Sequence, residues 1–335
     1  MQCRAAEAPH GAAGAEKIEG RAMEPIVNIV LPVFAIVGAG YLCGRRGLLG
    51  DDSSRALNSF VYWVALPALL FRAMATVDLD RLYDPAFLTG FLGALLVLWT
   101  LAIAGAMLLF RRTLAEAAIH GMNGVYGNSG YMGIPLAITA WGEAAALPAI
   151  VATVINTAVV VGLAIVLIET GGRSTASPGR VALNVIGAMA KNPMLAAPVL
   201  GLVWAAFGIP LPVPVEAFTG ILGAAAGPCA LFAIGLFMVG KPTSEGRLEV
   251  GVMTATKLIA QPALTALMVF LVFPADPLWA KVAVLMAALP TGAGSFVLAQ
   301  AYGVYVLRTS SVILASTVLS VATISVFFLY FPPGV

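Results

Sequence analysis

Two strings rich in glycine and proline interrupt otherwise apolar sequence. One is Gly124-Val125-Tyr126-Gly127-Asn128-Ser129-Gly130-Tyr131-Met132-Gly133-Ile134-Pro135, and the other is Leu289-Pro290-Thr291-Gly292-Ala293-Gly294-Ser295. An interior glycine costs a helix about 1 kcal/mol and a proline about 3, so an unbroken helix through either string is expensive. Pro290 also lacks an N–H and clashes with the preceding turn. Both strings therefore predict unwinding, near Gly127-Asn128 and at Pro290-Thr291. The N-terminus of a half-helix leaves N–H groups unpaired and carries partial positive charge, which favours an anion. The side chains of Asn128, Ser129, Thr291 and Ser295 add hydrogen bonds, and Gly127, Gly130 and Gly292 let the backbone approach closely. Such a set suits reversible binding of an anion rather than bond cleavage.

Few ionisable residues fall inside the apolar segments. Lys257, in Lys257-Leu258-Ile259-Ala260-Gln261-Pro262, needs an anion, a carboxylate or freed carbonyls as its partner. It is a candidate for charge or coupling, and equally for structural bonding to carbonyls at the breaks. His120 can exchange a proton near neutral pH, although a lone buried histidine more often packs between helices. Asn156 either lines the binding site or bonds between helices. Arg72, one turn from a segment end, snorkels to the interface on the plainer reading.

These residues need a membrane to make sense of them. Of 335 residues, 60% are hydrophobic and 10% charged, whereas soluble domains are about 45–50% apolar and about 25% charged. The composition excludes a soluble globule, a disordered chain and a coiled coil. A net charge of +2 gives no reason to expect a nucleic-acid partner. Cys3, Cys43 and Cys229 are scattered without metal-ligand spacing, so neither a disulfide framework, a metal site nor a cofactor is implied. A span needs about 20 apolar residues to cross about 30 Å of hydrocarbon. Ten candidates meet this: 25–43, 54–75, 86–110, 114–141, 144–168, 193–215, 217–240, 248–273, 278–301 and 306–331. Residues 180–190 suit an interfacial helix, and 1–22 a disordered leader without the apolar region of a signal peptide, with Met23 as an alternative start. Eleven Lys and Arg residues, from Arg45 and Arg46 to Arg308, fall in alternate connections, against Arg81 and Lys281 in the others. That bias puts the first set in the cytoplasm and both termini outside.

The halves resemble one another. Ala65–Phe71 can be laid on Ala226–Phe232, Trp141-Gly142 lies on Tyr302-Gly303 at the same offset, and Pro32 pairs with Pro198. Five spans per half force the second copy into the membrane upside down, as in secondary transporters with a midplane site. The expected fold is an all-α polytopic protein: a first repeat over 23–168, a cytoplasmic connection over 169–192 and a second repeat over 193–335.

Asn128-Ser129-Gly130-Tyr131-Met132-Gly133-Ile134-Pro135-Leu136 resembles the fourth-helix motif of the auxin efflux carrier family. Ala288-Leu289-Pro290-Thr291-Gly292, followed by Phe296-Val297-Leu298-Ala299, resembles that family's ninth helix. The resemblance covers about residues 25–331. It implies a scaffold of helices one, two, six and seven, a mobile transport domain from the rest, and a homodimer in the plasma (inner) membrane. It also implies transport of carboxylate-bearing anions, auxin in plants and malonate or malate in bacteria, with proton or sodium coupling. Asn128 matches the family asparagine after the first crossover, and Pro290 the second crossover proline. Gly127 stands where plant members carry proline. The short central connection makes this a bacterial-type chain.

Two other classes compete with a carrier. Gly127-Asn128-Ser129-Gly130 is one residue from a nucleophile elbow, but that motif needs glycine where Tyr131 stands. Only His10 and His120 are available as a base, so an intramembrane hydrolase is disfavoured. An anion channel or uncoupled facilitator differs from a carrier in lacking saturation and counterflow. Cysteines introduced near Gly142 and Gly208 are expected to react with an impermeant maleimide on intact cells. Reaction only after permeabilisation reverses the orientation.

Overall fold

A computed structural model describes residues 31–77, 84–171, 191–240 and 246–333, with isolated positions 179, 183, 186 and 187. The leader, the onset of the first span, most of the 169–192 connection and the chain ends lie outside the described residues. The described residues are helical and contain no β-strand, only one isolated bridge. The helices are α1 (Leu31–Arg45), α2 (Asp52–Ala75), α3 (Pro85–Leu108), α4a (Leu114–Val125), α4b (Ile134–Trp141) and α5 (Glu143–Gly171). The second half has α6 (Pro193–Ala206), α7 (Val213–Phe237), α8 (Arg247–Val272), α9a (Pro277–Ala288), α9b (Gly294–Tyr302) and α10 (Val306–Tyr330). Six of these, α2, α3, α5, α7, α8 and α10, are long and apolar enough to cross a membrane uninterrupted.

The sixth segment is shorter than hydropathy predicts. Residues 193–215 read as one apolar run, yet α6 stops at Ala206 and α7 begins at Val213. Gly208 adopts φ +65°, a left-handed conformation that ends a helix, and Pro210 and Pro212 keep it from resuming. The starts of α3 and α9a are set by acids. Asp84 accepts from the N–H of Ala86 and Phe87, and Asp276 from Leu278 and Trp279, each with proline at the first helical position. The Asp276 N–H in turn donates to the Asp84 carboxylate at 3.2 Å. At α4a, Thr113 and Glu116 form a reciprocal capping box.

Several helices contain a wide π-turn. Those at Val61–Ala65, Ser129–Gly133 and Thr256–Ala260 precede Pro67, Pro135 and Pro262 respectively. Proline has no N–H for the carbonyl four residues back, and widening the turn accommodates the gap.

Helices α1, α2, α6 and α7 pack as one group: α1 on α7, α6 on α2, and α2 on α7. The α1–α7 crossing depends on small residues. A Cβ on Gly40 would lie 2.1 Å from the Phe232 carbonyl oxygen, and one on Gly235 2.0 Å from that of Val37. The remaining helices form a second group, with α3 against α4a, α4a against α5, and α8 against α9a and α10.

The second group is fastened by a charged cluster. Arg112, in the connection before α4a, grips Glu249 of α8 through Nε and Nη2 at 3.0 and 2.8 Å. Arg308 of α10 brings its Nε to 3.0 Å from the same carboxylate, and His120 Nδ1 lies 3.5 Å from it. The Tyr305 ring sits beneath both guanidiniums, and its hydroxyl is 3.2 Å from His120 Nδ1. Burial, then the Glu249 carboxylate, push the Tyr305 phenol up, so it keeps its proton throughout the working range.

Glu249 is 3% exposed, so removing it leaves two guanidiniums without their shared acid. Glu249→Ala is expected to cost about 3 kcal/mol, seen as a clear fall in melting temperature in detergent. Asp52→Ala, which breaks the exposed Arg55 pair, is expected to cost under about 1 kcal/mol; equal shifts would contradict the fastening role. At the α1–α7 crossing, Gly235→Ala should cost about 1–3 kcal/mol or more by overpacking. Gly38→Ala, inside α1 with open space around it, should not lower the melting temperature.

Candidate functional site

The backbone leaves the helix at two places and the two openings meet. In α9, Leu289 is extended (φ −64°, ψ 153°) because it precedes Pro290, whose ring disfavours helical geometry in its neighbour. In α4, Tyr126 is extended (φ −78°, ψ 100°) amid glycines, with the π-turn Ser129–Gly133 following. Gly127 and Thr291 form the single antiparallel bridge. The Asn128 N–H donates to the Pro290 carbonyl at 2.8 Å, and the Gly292 N–H to that of Tyr126 at 2.9 Å.

Side chains complete the pairing. Thr291 Oγ1 donates to the Asn123 carbonyl at 2.8 Å, and Ser316 Oγ accepts from the Thr291 N–H at 3.1 Å. Asn156 Nδ2 donates to the Gly127 carbonyl at 3.4 Å. Lys257 Nζ donates to the Ala287 carbonyl at 2.5 Å and to Gln261 Oε1 at 2.6 Å, and Gln261 Nε2 donates to the Val125 carbonyl at 2.9 Å. The Asn123 and Val125 carbonyls at the end of α4a and the Ala287 carbonyl at the end of α9a, which have no partner further along their own helices, are thereby covered.

Two glycines permit this closeness. A Cβ on Gly127 would lie 2.9 Å from the Met286 oxygen, and one on Gly292 2.8 Å from both the Gly127 oxygen and the Tyr126 ring. A proline at 127 would meet the same Met286 oxygen, which gives a physical reason for glycine there.

Among the candidates, Gly127, Asn128, Pro290, Thr291 and Gly292 form the junction itself, and Asn156 and Lys257 touch it. Ser129 and Gly130 open the π-turn ahead of α4b, and Ser295 lies in the first turn of α9b. His120 lies apart, in the Glu249 cluster. The Asn128 side chain makes no hydrogen bond among the described residues, and the buried Ser295 Oγ and Asn156 Oδ1 have no partner. These groups, with the N–H groups of Ser129, Gly130 and Tyr131 at the start of the π-turn and of Gly294 at the start of α9b, are what the junction offers a ligand. Asn128, Ser129 and Ser295 are all buried, so this arrangement is closed to solvent.

Helix α7 packs on Ser129–Gly133, with Pro135 against Gly227. The phenol groups of Tyr62, Tyr126 and Tyr131 are neighbours beside the junction. A separate apolar cleft of about 430 Å³ lies between α1, α7, α8 and α10, lined by Tyr41, Met238, Leu314 and Val318 among others.

Sequence reasoning did not single out Gln261, Ser316, Tyr126 or the Glu249 cluster. Gln261 had a readable signal, standing one helical turn after Lys257. Glu249 had none, because its partners come from a loop and two other helices.

A family model described as "Membrane transport protein" matches residues 25–328. The chain is 35% identical over 303 residues, 90% of its own length and 95% of the relative's, to the "Putative malonate transporter" of Rhizobium meliloti (strain 1021). It is 27% identical over 309 residues to the "Uncharacterized transporter YfdV" of Escherichia coli (strain K12), covering 91% and 96% of the two chains. An "Uncharacterized transporter" of Methanothermobacter thermautotrophicus is 26% identical over 304 residues, 88% and 95% of the two chains. A multi-pass helical chain matched over nearly its whole length in this way belongs to the membrane transport protein family, that of the auxin efflux carriers.

Proposed function

We propose that this transporter is a secondary carrier of small organic anions, working by alternating access around the junction of α4 and α9. The observation that carries the reading is the pairing of two helix breaks through Asn128, Pro290, Tyr126 and Gly292. It leaves the N–H groups of Ser129, Gly130 and Tyr131 at the start of the π-turn, and that of Gly294 at the start of α9b, to attract negative charge. Asn128 Nδ2 and the Ser295 hydroxyl supply donors suited to a carboxylate, and the neighbouring tyrosines supply more. The malonate named for the 35% identical relative makes a short dicarboxylate the first substrate to test, ahead of auxin-like acids.

In this reading the chain is two inverted repeats of five helices, 23–168 and 193–335, joined by a short cytoplasmic connection. The matched proportions of the halves support it. Helices α4a and α9a each have 12 residues, and Gly142 and Gly303 end α4b and α9b with φ of +76° and +65°. The group α1, α2, α6 and α7 serves as the scaffold and dimer support, and the other helices move across it. The contact of α7 with the π-turn, and of Gly227 with Pro135 just after it, lies on the boundary between the two groups. The protein resides in the plasma (inner) membrane with both termini outside.

Asn128→Leu keeps side-chain volume but removes the hydrogen bonds. An unmet partner for a charged group costs about 1.5–3 kcal/mol, so affinity should fall roughly 10- to 150-fold. Calorimetry of the purified wild type first ranks malonate, malate and monocarboxylates, and the best ligand is then titrated into the variant. Unchanged affinity removes the anion from this junction. Counterflow in proteoliposomes separates the carrier from a channel.

A further inference from the structure

The opposite ends of the broken helices pose a different problem. At their C-termini, α4a and α9a present carbonyls with partial negative charge, side by side inside the protein. In carriers built on broken helices, such ends and unwound carbonyls are where coupling cations bind. Here the place is taken by a side chain. Lys257 is fully buried, and its Nζ lies 2.5 Å from the Ala287 oxygen and 2.6 Å from Gln261 Oε1. Gln261 relays the contact to the Val125 oxygen at 2.9 Å. A Cβ on Gly127 would sit 3.4 Å from Nζ, so the ammonium lies directly under the junction. Among the described residues Lys257 forms no ion pair with a carboxylate; its oxygen partners are neutral.

We propose that Lys257 is a tethered cation. Its ammonium fills the seat that a metal cation would need between the two half-helix C-termini, so the resting protein binds neither sodium nor potassium there. Removing the side chain opens a site for a free monovalent cation, best filled by a primary alkylammonium. The π-turn Thr256–Ala260, widened ahead of Pro262, aims the side chain inward. The inference stands on the C-terminal ends and is independent of what binds at the N-terminal ends.

The test is chemical rescue of Lys257→Ala, whose missing atoms match n-propylammonium. Purified wild type and variant are melted in choline chloride, without any carboxylate, and titrated at constant ionic strength with n-propylammonium, sodium, potassium or tetramethylammonium chloride. The variant should melt lower than wild type and recover by several degrees, saturably, with n-propylammonium. Tetramethylammonium, which has no N–H, should do nothing, and wild type should respond to none of the four. Saturable stabilisation of wild type by sodium or potassium overturns the proposal, as does a folded variant that no primary ammonium or alkali cation stabilises. If Lys257→Ala does not fold, Lys257→Gln and Lys257→Arg separate charge from hydrogen bonding. A glutamine variant that melts like wild type overturns the tethered cation. A lowered melting temperature for glutamine with retention for arginine supports it. Because no anion is present in these melts, a failure here leaves the carboxylate reading untouched, and the converse also holds.

Discussion

Hydrocarbon offers no water to an unpaired backbone group, so every peptide that leaves a helix within the bilayer must find its partner in the protein. The rest of this structure depends on that constraint. Two helices are opened, and each opening supplies the other: Asn128 to Pro290, Gly292 to Tyr126, with Thr291, Asn156, Gln261 and Lys257 bonding four further carbonyls. Neither break is affordable alone. The glycines at 127 and 292 follow from the same demand, since the unwound segments must approach within a distance that excludes a Cβ.

What could be read from the chain and what could not divides along physical lines. Transfer free energy is nearly local, so hydropathy placed the long apolar helices well. The opening at Leu289 was legible because a proline dictates the conformation of its neighbour. The α4 opening was legible more weakly, as glycines permit unwinding without requiring it. The end of α6 at Ala206 was missed because hydropathy continues through Phe207, Ile209 and Leu211, whereas Gly208, Pro210 and Pro212 turn the chain. The partners of Lys257 and the Glu249 cluster depend on helices far apart in sequence meeting in space. No period or spacing encodes such a meeting.

The two charged networks divide the work between edge and centre. At one end of the bundle, Glu249, Arg112, Arg308, His120 and Tyr305 tie α8, α4a and α10 together, with enough polar partners to satisfy a carboxylate that is 3% exposed. At the junction Lys257 is the one charged group among the described residues, and its partners are a peptide oxygen and an amide. That end of these helices is fixed by charge pairs, whereas the centre carries unpaired groups such as Ser295 Oγ and Asn156 Oδ1. Polar atoms left open at such a depth are costly, and they are held in place by the packing around them.

The Lys257–Gln261 pair also bears on how the chain is made. Helix α8 leaves the ribosome before α9a exists, so the Ala287 carbonyl cannot meet the ammonium when α8 enters the bilayer. By insertion measurements a central lysine costs about 2.5–3.5 kcal/mol. Gln261, one turn along the same helix and 2.6 Å from Nζ in the finished protein, is available from the moment α8 forms. The ammonium thus has one oxygen acceptor within its own helix before the Ala287 carbonyl arrives, while the Gln261 amide N–H donates to the Val125 carbonyl of the earlier α4a.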